Sequence, residues 1–239
     1  MPKQKLRWKR VLLKLSGETL SGKGGSGLDI AAIQYIAREI QGIHAMGCEV
    51  ALVIGGGNFV RGEPLSKIGI DRATADSMGM LGTIINALAL QSILESKGMF
   101  TRVMSTITAI QVSEPFIRRR AIRHLEKARV VIFAGGTGNP YFSTDTAAAL
   151  RASEIGAEVI LKATNVEGVY EEDPKKNGNA KLLKSIDPVD VVRRGLKVMD
   201  LTAVTLAMEN KIPVTVFDVF KKGNLGRILA GEKIGSEIK

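Results

Sequence analysis

Three glycine-rich segments each follow a short apolar run: KLSGE from Lys14, GGGNFVRG from Gly55 and GGTGNPYFSTD from Gly135. In an open parallel sheet, ligands gather at the carboxyl ends of the strands. Glycine there lets a ligand approach the backbone closely, and successive N–H groups make concavities for anions. One such turn is ordinary, whereas three at successive strand ends point to a phosphate-binding rim. The third segment runs from glycines into Ser143, Thr144, Asp145 and Thr146. Hydroxyls and the first N–H groups of a helix suit an anion, although Ser143 or Thr144 is equally a plain helix N-cap.

The rest of the chain supplies the strands and helices that such a rim needs. Residues 11–15, 50–54, 102–104, 130–134, 159–161 and 214–217 read as strands. Asp29 caps a predicted helix with apolar positions Ile30, Ile33, Ile36 or Ala37, Ile40 and Ile43, stopped by Gly47. A longer helical pattern carries Met78, Leu81, Ile85, Leu88 and Ile93 and stops at Gly98. Pro115 is expected to open another helix, with Phe116, Ile122 and Leu125 inward. Residues 166–181 read as turns and a hairpin, and helices are expected near 189–193, 202–209 and 225–229. This alternation predicts an α/β fold, a three-layer α/β/α sandwich with a mainly parallel central sheet. One domain is expected over residues 1–239, with two halves of one sheet meeting near residue 155.

Composition bounds the function. The chain has 239 residues, 45% hydrophobic and 24% charged, which suits one large domain or two closely joined halves. Its single cysteine, Cys48, allows no internal disulfide, and the basic start MPKQKLRWKR meets no long apolar stretch before Lys14. A cytoplasmic protein is expected. No apolar run approaches the ~18 residues of a membrane span. The formal charge of +10 fits nucleic acid or anionic substrates. Basic residues are scattered apart from the first ten residues and Arg118, Arg119 and Arg120, and only three Tyr and one Trp are present. A stacking surface for nucleic acid is therefore disfavoured.

Known phosphate and metal motifs do not fit. GETLSGKG (17–24) has Gly24 where a P-loop needs a hydroxyl for Mg²⁺, and GGGNFVRG has Val60 where a dinucleotide fingerprint needs its third glycine. The protein-kinase HRD and DFG sequences are missing, and His44 and His124 have no partner at metal-ligand spacing. The remaining pattern suits phosphoryl transfer, which needs positive charge on the moving group. Lys14 ends an apolar strand, where an ammonium is costly without an anionic partner. Arg61 follows GGGN and suits a phosphate, while Asp145 and Asp200 could orient the lysine or hold Mg²⁺.

Read in order, KLSGE, GGGNFVRG, ATADSMGML, TGNPYFSTD, LKATNVEGVYEEDP and LKVMDLTA span nearly the whole chain. Together they closely resemble the bacterial-type uridylate kinases, a branch of the amino acid kinase superfamily. The resemblance implies transfer of the γ-phosphoryl group of ATP to UMP, with Mg²⁺, in pyrimidine nucleotide biosynthesis. It implies ATP contacts at Lys14, Leu15, Ser16, Gly17, Gly57, Arg61, Thr164, Asn165, Tyr170 and Asp173. It implies a UMP site of Gly56, Asp76, Thr137, Gly138, Asn139, Pro140, Tyr141, Phe142, Ser143 and Thr144. Asp145 resembles the superfamily aspartate that organises the catalytic lysine; Asp200 is a second acidic candidate, and Lys162 adds positive charge. A homo-oligomer, a hexamer in such relatives, is implied, with GTP as activator and UTP as inhibitor. Gly22, Lys23, Gly24, Gly25, Ser26 and Gly27, with Arg102, match the effector position, although a flexible loop explains the glycines equally. Competing readings are a carbamate or carboxylate kinase, an oxoanion-storage protein on the same fold, and a nucleic-acid-binding regulator.

Overall fold

Continuous apolar runs form the middle of the molecule, as expected of strands covered on both faces. These are β1 (Arg10–Leu15), β2 (Glu49–Ile54), β5 (Val130–Ala134) and β6 (Val159–Thr164); every residue of β2 and β5 is buried. The computed structural model describes residues 6–60, 69–172, 177–196 and 198–239. Among these, β3 (Thr101–Ser105), β4 (Glu114–Pro115), β9 (Ser185–Ile186), β10 (Val214–Asp218) and β11 (Ser236–Ile238) complete a nine-stranded sheet. Its order is β4-β3-β5-β2-β1-β6-β10-β11-β9, and only the β10–β11 pairing is antiparallel. A separate antiparallel pair, β7 (Val169–Tyr170) with β8 (Leu182–Leu183), is the expected hairpin.

Side chains alternate across each strand, so one strand feeds two cores. Leu13, Leu15, Leu52, Ile54 and Leu161 face a layer built from α2 (Ile30–Ala45) and α3 (Arg72–Ser96). A short helix following β10 and Val219, at residues 224–229, packs against the same face through Leu225, Ile228 and Leu229. Leu12, Ala51, Val53, Phe133 and Ile160 face α4 (Arg118–Glu126), α5 (Thr144–Ile155), α6 (Pro188–Arg194) and α7 (Leu201–Glu209). The result is the expected three-layer α/β/α fold. The buried residues of α5 include four alanines, Ala147, Ala148, Ala149 and Ala152, small enough to bring the helix close to the sheet. β1 pairs with β2 on one side and β6 on the other, so one sheet runs through both halves of the chain.

Several sequence expectations are corrected. Asp29 does cap α2, accepting from Ala32 N, but Ile30 lies at the helix start and is 71% exposed. On α3, Leu81 and Ile85 point outward; the buried face is Ala75, Gly82, Thr83, Ile84, Asn86, Ala87, Leu90 and Leu94. Gly82, Thr83 and Asn86 interrupt the apolar residues of that face and blur its helical period, while Leu88 and Ile93 of the expected pattern pack partly buried against the same core. Pro115 belongs to β4, and α4 begins three residues later, after Ile117. A short helix, α1 (Glu18–Ser21), follows Gly17 inside the glycine-rich segment. β11 and β9 extend the sheet through runs too short to show a period. α3 is also long and apolar enough for a membrane span, with mean hydropathy 1.4 over 18 residues, and is the one such helix among the described residues. Glycines and hydroxyls break its apolar run in the sequence, and its inner face belongs to the core.

The corrected α2 face is testable by equilibrium urea unfolding. Ile36, fully buried, should cost about 2–5 kcal/mol when changed to Ala. Ile30→Ala should stay within about 0.5 kcal/mol.

Candidate active site

The sheet register places two lysines side by side. Lys14 on β1 pairs directly with Lys162 on β6, on the face that α5 covers. Like charges opposite each other on adjacent strands repel. The first turn of α5 supplies the answer: Asp145 Oδ1 lies 2.6 Å from Lys14 Nζ, and Oδ2 accepts from Lys162 Nζ at 2.5 Å. All three side chains are largely buried. Burial is the largest influence on Asp145 and would raise its pKa, but the two ammonium groups outweigh it and hold the carboxyl below the usual range. Burial lowers the pKa of Lys162, against the pull of Asp145. Asp145 is thus a fixed anion that keeps two cations in place.

Local capping fixes where Asp145 points. Ser143 is the N-cap of α5, its hydroxyl accepting from Asp145 N and Thr146 N at 3.0 and 3.2 Å. The same hydroxyl donates to Asp200 Oδ2 in a short hydrogen bond. Asp200 Oδ1 accepts from Thr146 Oγ1 at 2.8 Å and from Ala203 N at 2.9 Å, capping α7. Asp200 therefore ties the start of α5 to the start of α7, and both its oxygens are engaged.

The three strand-end loops converge beside this ion cluster. A Cβ built on Gly55 would sit 3.0 Å from Gly17 N and 3.4 Å from Thr144 Oγ1, so all three loops meet there. A cleft of ≈ 140 Å³ opens at this point, lined by Gly56, Gly57, Val60, Ala75, Asp76, Gly79, Met80, Thr83, Asn139, Phe142 and Thr144. A second cavity, ≈ 340 Å³, shares Asp76 and Phe142 with it and reaches Arg72, Tyr141, Ser143, Thr146, Asp200 and Thr202. Gly56 is forced: any Cβ there would overlap the Gly79 carbonyl oxygen of α3. Tyr141 holds φ +70°, a conformation that costs a non-glycine residue about 1–3 kcal/mol. Its amide donates to Asp76 Oδ2 at 2.8 Å, and Arg72 lies over its ring. Gly135 N donates to Thr83 Oγ1 at 2.7 Å, fixing the other end of the same loop to α3.

The structure brings together Lys14, Gly17, Gly56, Gly57, Asp76, Asn139, Phe142, Ser143, Thr144, Asp145 and Asp200 of the expected site. Thr164 ends β6, two residues beyond Lys162, and its hydroxyl lies within hydrogen-bond reach of the Val166 and Phe217 carbonyls, at 2.8 and 3.1 Å, shaping the loop that contains Asn165. Tyr170 lies in β7. Leu15 is fully buried in the core and offers only its backbone, and Ser16 Oγ contacts Thr19 Oγ1. Arg61, Asp173 and the side chain of Lys23 lie outside the described residues. Residues 22–27 sit against the second loop, with Gly27 N donating to Asn58 O at 2.9 Å. Arg102 is elsewhere, on β3 within 3.6 Å of Glu95 and Glu114. Gly79, Met80 and Thr83 were not anticipated; they follow Asp76 at spacings of three, four and seven, the signature of one helix face. His124 is buried between Glu114 and Arg129, and burial pushes the Cys48 thiol up to about 12, leaving it chemically quiet.

A parallel sheet whose carboxyl edge gathers glycine loops around buried lysines defines a phosphate-binding α/β protein. This chain belongs to the amino acid kinase family, which it matches over residues 9–218. It is similar in structure to a UMP kinase from Bacillus anthracis, at 43% identity and TM-score 0.95, covering 97% of this chain and 96% of that one. A UMP kinase from Ureaplasma parvum matches at 37% identity and TM-score 0.91, covering 98% and 100%. A uridylate kinase from Archaeoglobus fulgidus matches at 29% identity and TM-score 0.71, covering 96% and 99%.

The ion cluster has a defined pH signature. Asp145 is depressed in the folded state, so its stabilisation is complete above the unfolded value near 3.9 and is lost as pH falls through the lower folded value. Urea unfolding of wild type and Asp145→Asn should differ by about 3–5 kcal/mol, as expected when one partner of a buried ion pair is removed. That difference should stay constant from pH 6 to 8 and shrink only below about pH 4.

Proposed function

We propose that this chain transfers the γ-phosphoryl group of ATP to UMP, giving UDP and ADP. The observation that carries this reading is the convergence of three strand-end glycine loops beside buried Lys14, Asp145 and Lys162. Likeness to UMP kinases over nearly the full chain supports UMP as the acceptor.

In this reading ATP lies over Lys14, Leu15, Ser16, Gly17 and Gly57, with Thr164, Asn165 and Tyr170 at its adenosine end; Arg61 and Asp173 belong to the same set. UMP occupies the cleft beside Gly56 and Asp76, enclosed by residues 137–144. The N-terminal half thus carries the acceptor, and the half after residue 155 carries most of the donor's base. A UMP phosphate oxygen attacks the γ-phosphorus, and the bond from that phosphorus to the β–γ bridging oxygen breaks. The acceptor phosphate has its second pKa near ≈ 6 and is already ionised, so no general base is required. Lys14 neutralises the charge on the moving group, while Asp145 positions the lysine and transfers no proton. Asp200 acts through the Ser143 cap.

Mg²⁺ fits this site as a companion of ATP. Both oxygens of Asp145 and of Asp200 are already engaged by the chain. The described residues offer no cluster of three acidic, His or Cys side chains that could hold a metal. The ion, bound to phosphate oxygens, would neutralise their charge.

Assembly into a homo-oligomer, a hexamer, belongs to the same reading. It is supported by outward-facing Leu81 and Ile85 on α3 and by Phe100, 71% exposed. Activation by GTP, inhibition by UTP, an effector role for residues 22–27 and Arg102, and a cytoplasmic place in pyrimidine nucleotide biosynthesis complete it.

A coupled assay with ATP, Mg²⁺ and UMP should show turnover, and carbamate or acetylglutamate should not replace UMP; the reverse pattern defeats the reading. Lys14→Ala should lower kcat by about 10²-fold or more, as when a preorganised charge on the transition state is lost. Asp76→Asn should weaken UMP binding in calorimetry and leave ATP affinity unchanged.

A further inference from the structure

Helix α3 meets the strand-end loops through a row of small and polar residues, and one of these contacts has no substrate role in the reading above. Asn86 is fully buried and Asn58 is 3% exposed. Their side chains form a two-way amide pair: Asn58 Nδ2 donates to Asn86 Oδ1 at 2.9 Å, and Asn86 Nδ2 donates to Asn58 Oδ1 at 2.7 Å. Each Nδ2 donates a second time, Asn58 to Gly27 O at 2.7 Å and Asn86 to Gly55 O at 2.8 Å. Exchanging oxygen for nitrogen in either side chain would set an acceptor against a carbonyl, so the arrangement has one orientation. Gly27 N returns a bond to Asn58 O at 2.9 Å, and a Cβ on Gly17 would overlap Asn58 Oδ1. One buried pair therefore touches the loop after β1, the 22–27 segment and the loop after β2. A fully satisfied buried network is stiff, and losing one member leaves its partners unpaired.

We propose that the Asn58–Asn86 pair is a positioning element for phosphoryl transfer. It sets the spacing of the glycine loops after β1 and β2 and locks residues 22–27 to them, so a disturbance at any one passes to the others. The catalytic consequence rests on the phosphoryl-transfer reading, whereas the coupling of the loops is a property of the fold.

The test uses the full chain as wild type, Asn58→Ala, Asn86→Ala and the double variant. Leu94→Ala is a control for general destabilisation, since it is buried on the same helix about 12 Å further along. Hydrogen–deuterium exchange is followed at 22–27 and 55–57, with kcat and KM for ATP and UMP measured in parallel. Asn86→Ala should speed exchange at 22–27 about tenfold, the worth of one hydrogen bond, although Asn86 does not touch that segment. Its kcat should fall about tenfold with a smaller change in KM for UMP, and the double variant should be no worse than either single one. Leu94→Ala should lower the Tm and move neither readout. Unchanged exchange at 22–27 in Asn86→Ala, additive single effects, or an equal response in Leu94→Ala would each overturn the proposal. Should the alanine variants fail to fold, isosteric Asn86→Asp decides: its carboxyl donates to Gly55 O only while protonated. Exchange at 22–27 should then approach wild type as pH falls, and a pH-independent ratio to wild type would overturn the coupling. A wild type inactive on UMP, with the exchange pattern as expected, removes the kinase reading and leaves the coupling standing.

Discussion

Two ammonium groups at the same register of neighbouring parallel strands repel each other, and the carboxyl edge of this sheet is organised around that repulsion. Asp145 relieves it only from one position, above both lysines at the start of α5. The Ser143 cap fixes that start, and Asp200 holds the cap against α7. A chain of ordinary capping interactions thus determines where the cations stand. The three glycine loops meet beside the start of α5, next to this cluster.

Helix α3 is the second organiser. Asp76, Gly79, Thr83 and Asn86 follow one another along one face at spacings of three or four residues. Each meets a different piece of the rim: the Tyr141 amide, the Gly56 backbone, the Gly135 amide and the Gly55 carbonyl. The outward face of the same helix carries two exposed apolar residues, Leu81 and Ile85. One helix therefore links a candidate subunit contact on its outer side to the loops on its inner side through rigid secondary structure.

Much of this was legible in the sequence, for identifiable reasons. Runs such as Val130–Ala134 announce doubly covered strands, and Gly17, Gly55 and Gly135 mark where backbone must come close. Lys14 is conspicuous in the sequence because an ammonium in an apolar strand demands a partner. The partnership with Lys162 was not readable, because it depends on which strands become neighbours and in what register. The inner face of α3 is hard to read from hydrophobicity alone, because Gly82, Thr83 and Asn86 interrupt the apolar Ala75, Ile84, Ala87, Leu90 and Leu94 on the same face. The short edge strands β4, β9 and β11 carry too few residues for a period and owe their existence to the sheet beside them.

The alanine face of α5 has a consequence for how this protein can change. Ala147, Ala148 and Ala152 have no side-chain length to spare, so the gap between helix and sheet is set by backbone thickness. A bulkier residue at any of these positions would act as a shim, lifting the helix and carrying the carboxylate away from its cations. Mutational drift on this concealed surface is therefore constrained by electrostatics several ångströms away as well as by packing, and the tolerant positions should lie on the helix's solvent side.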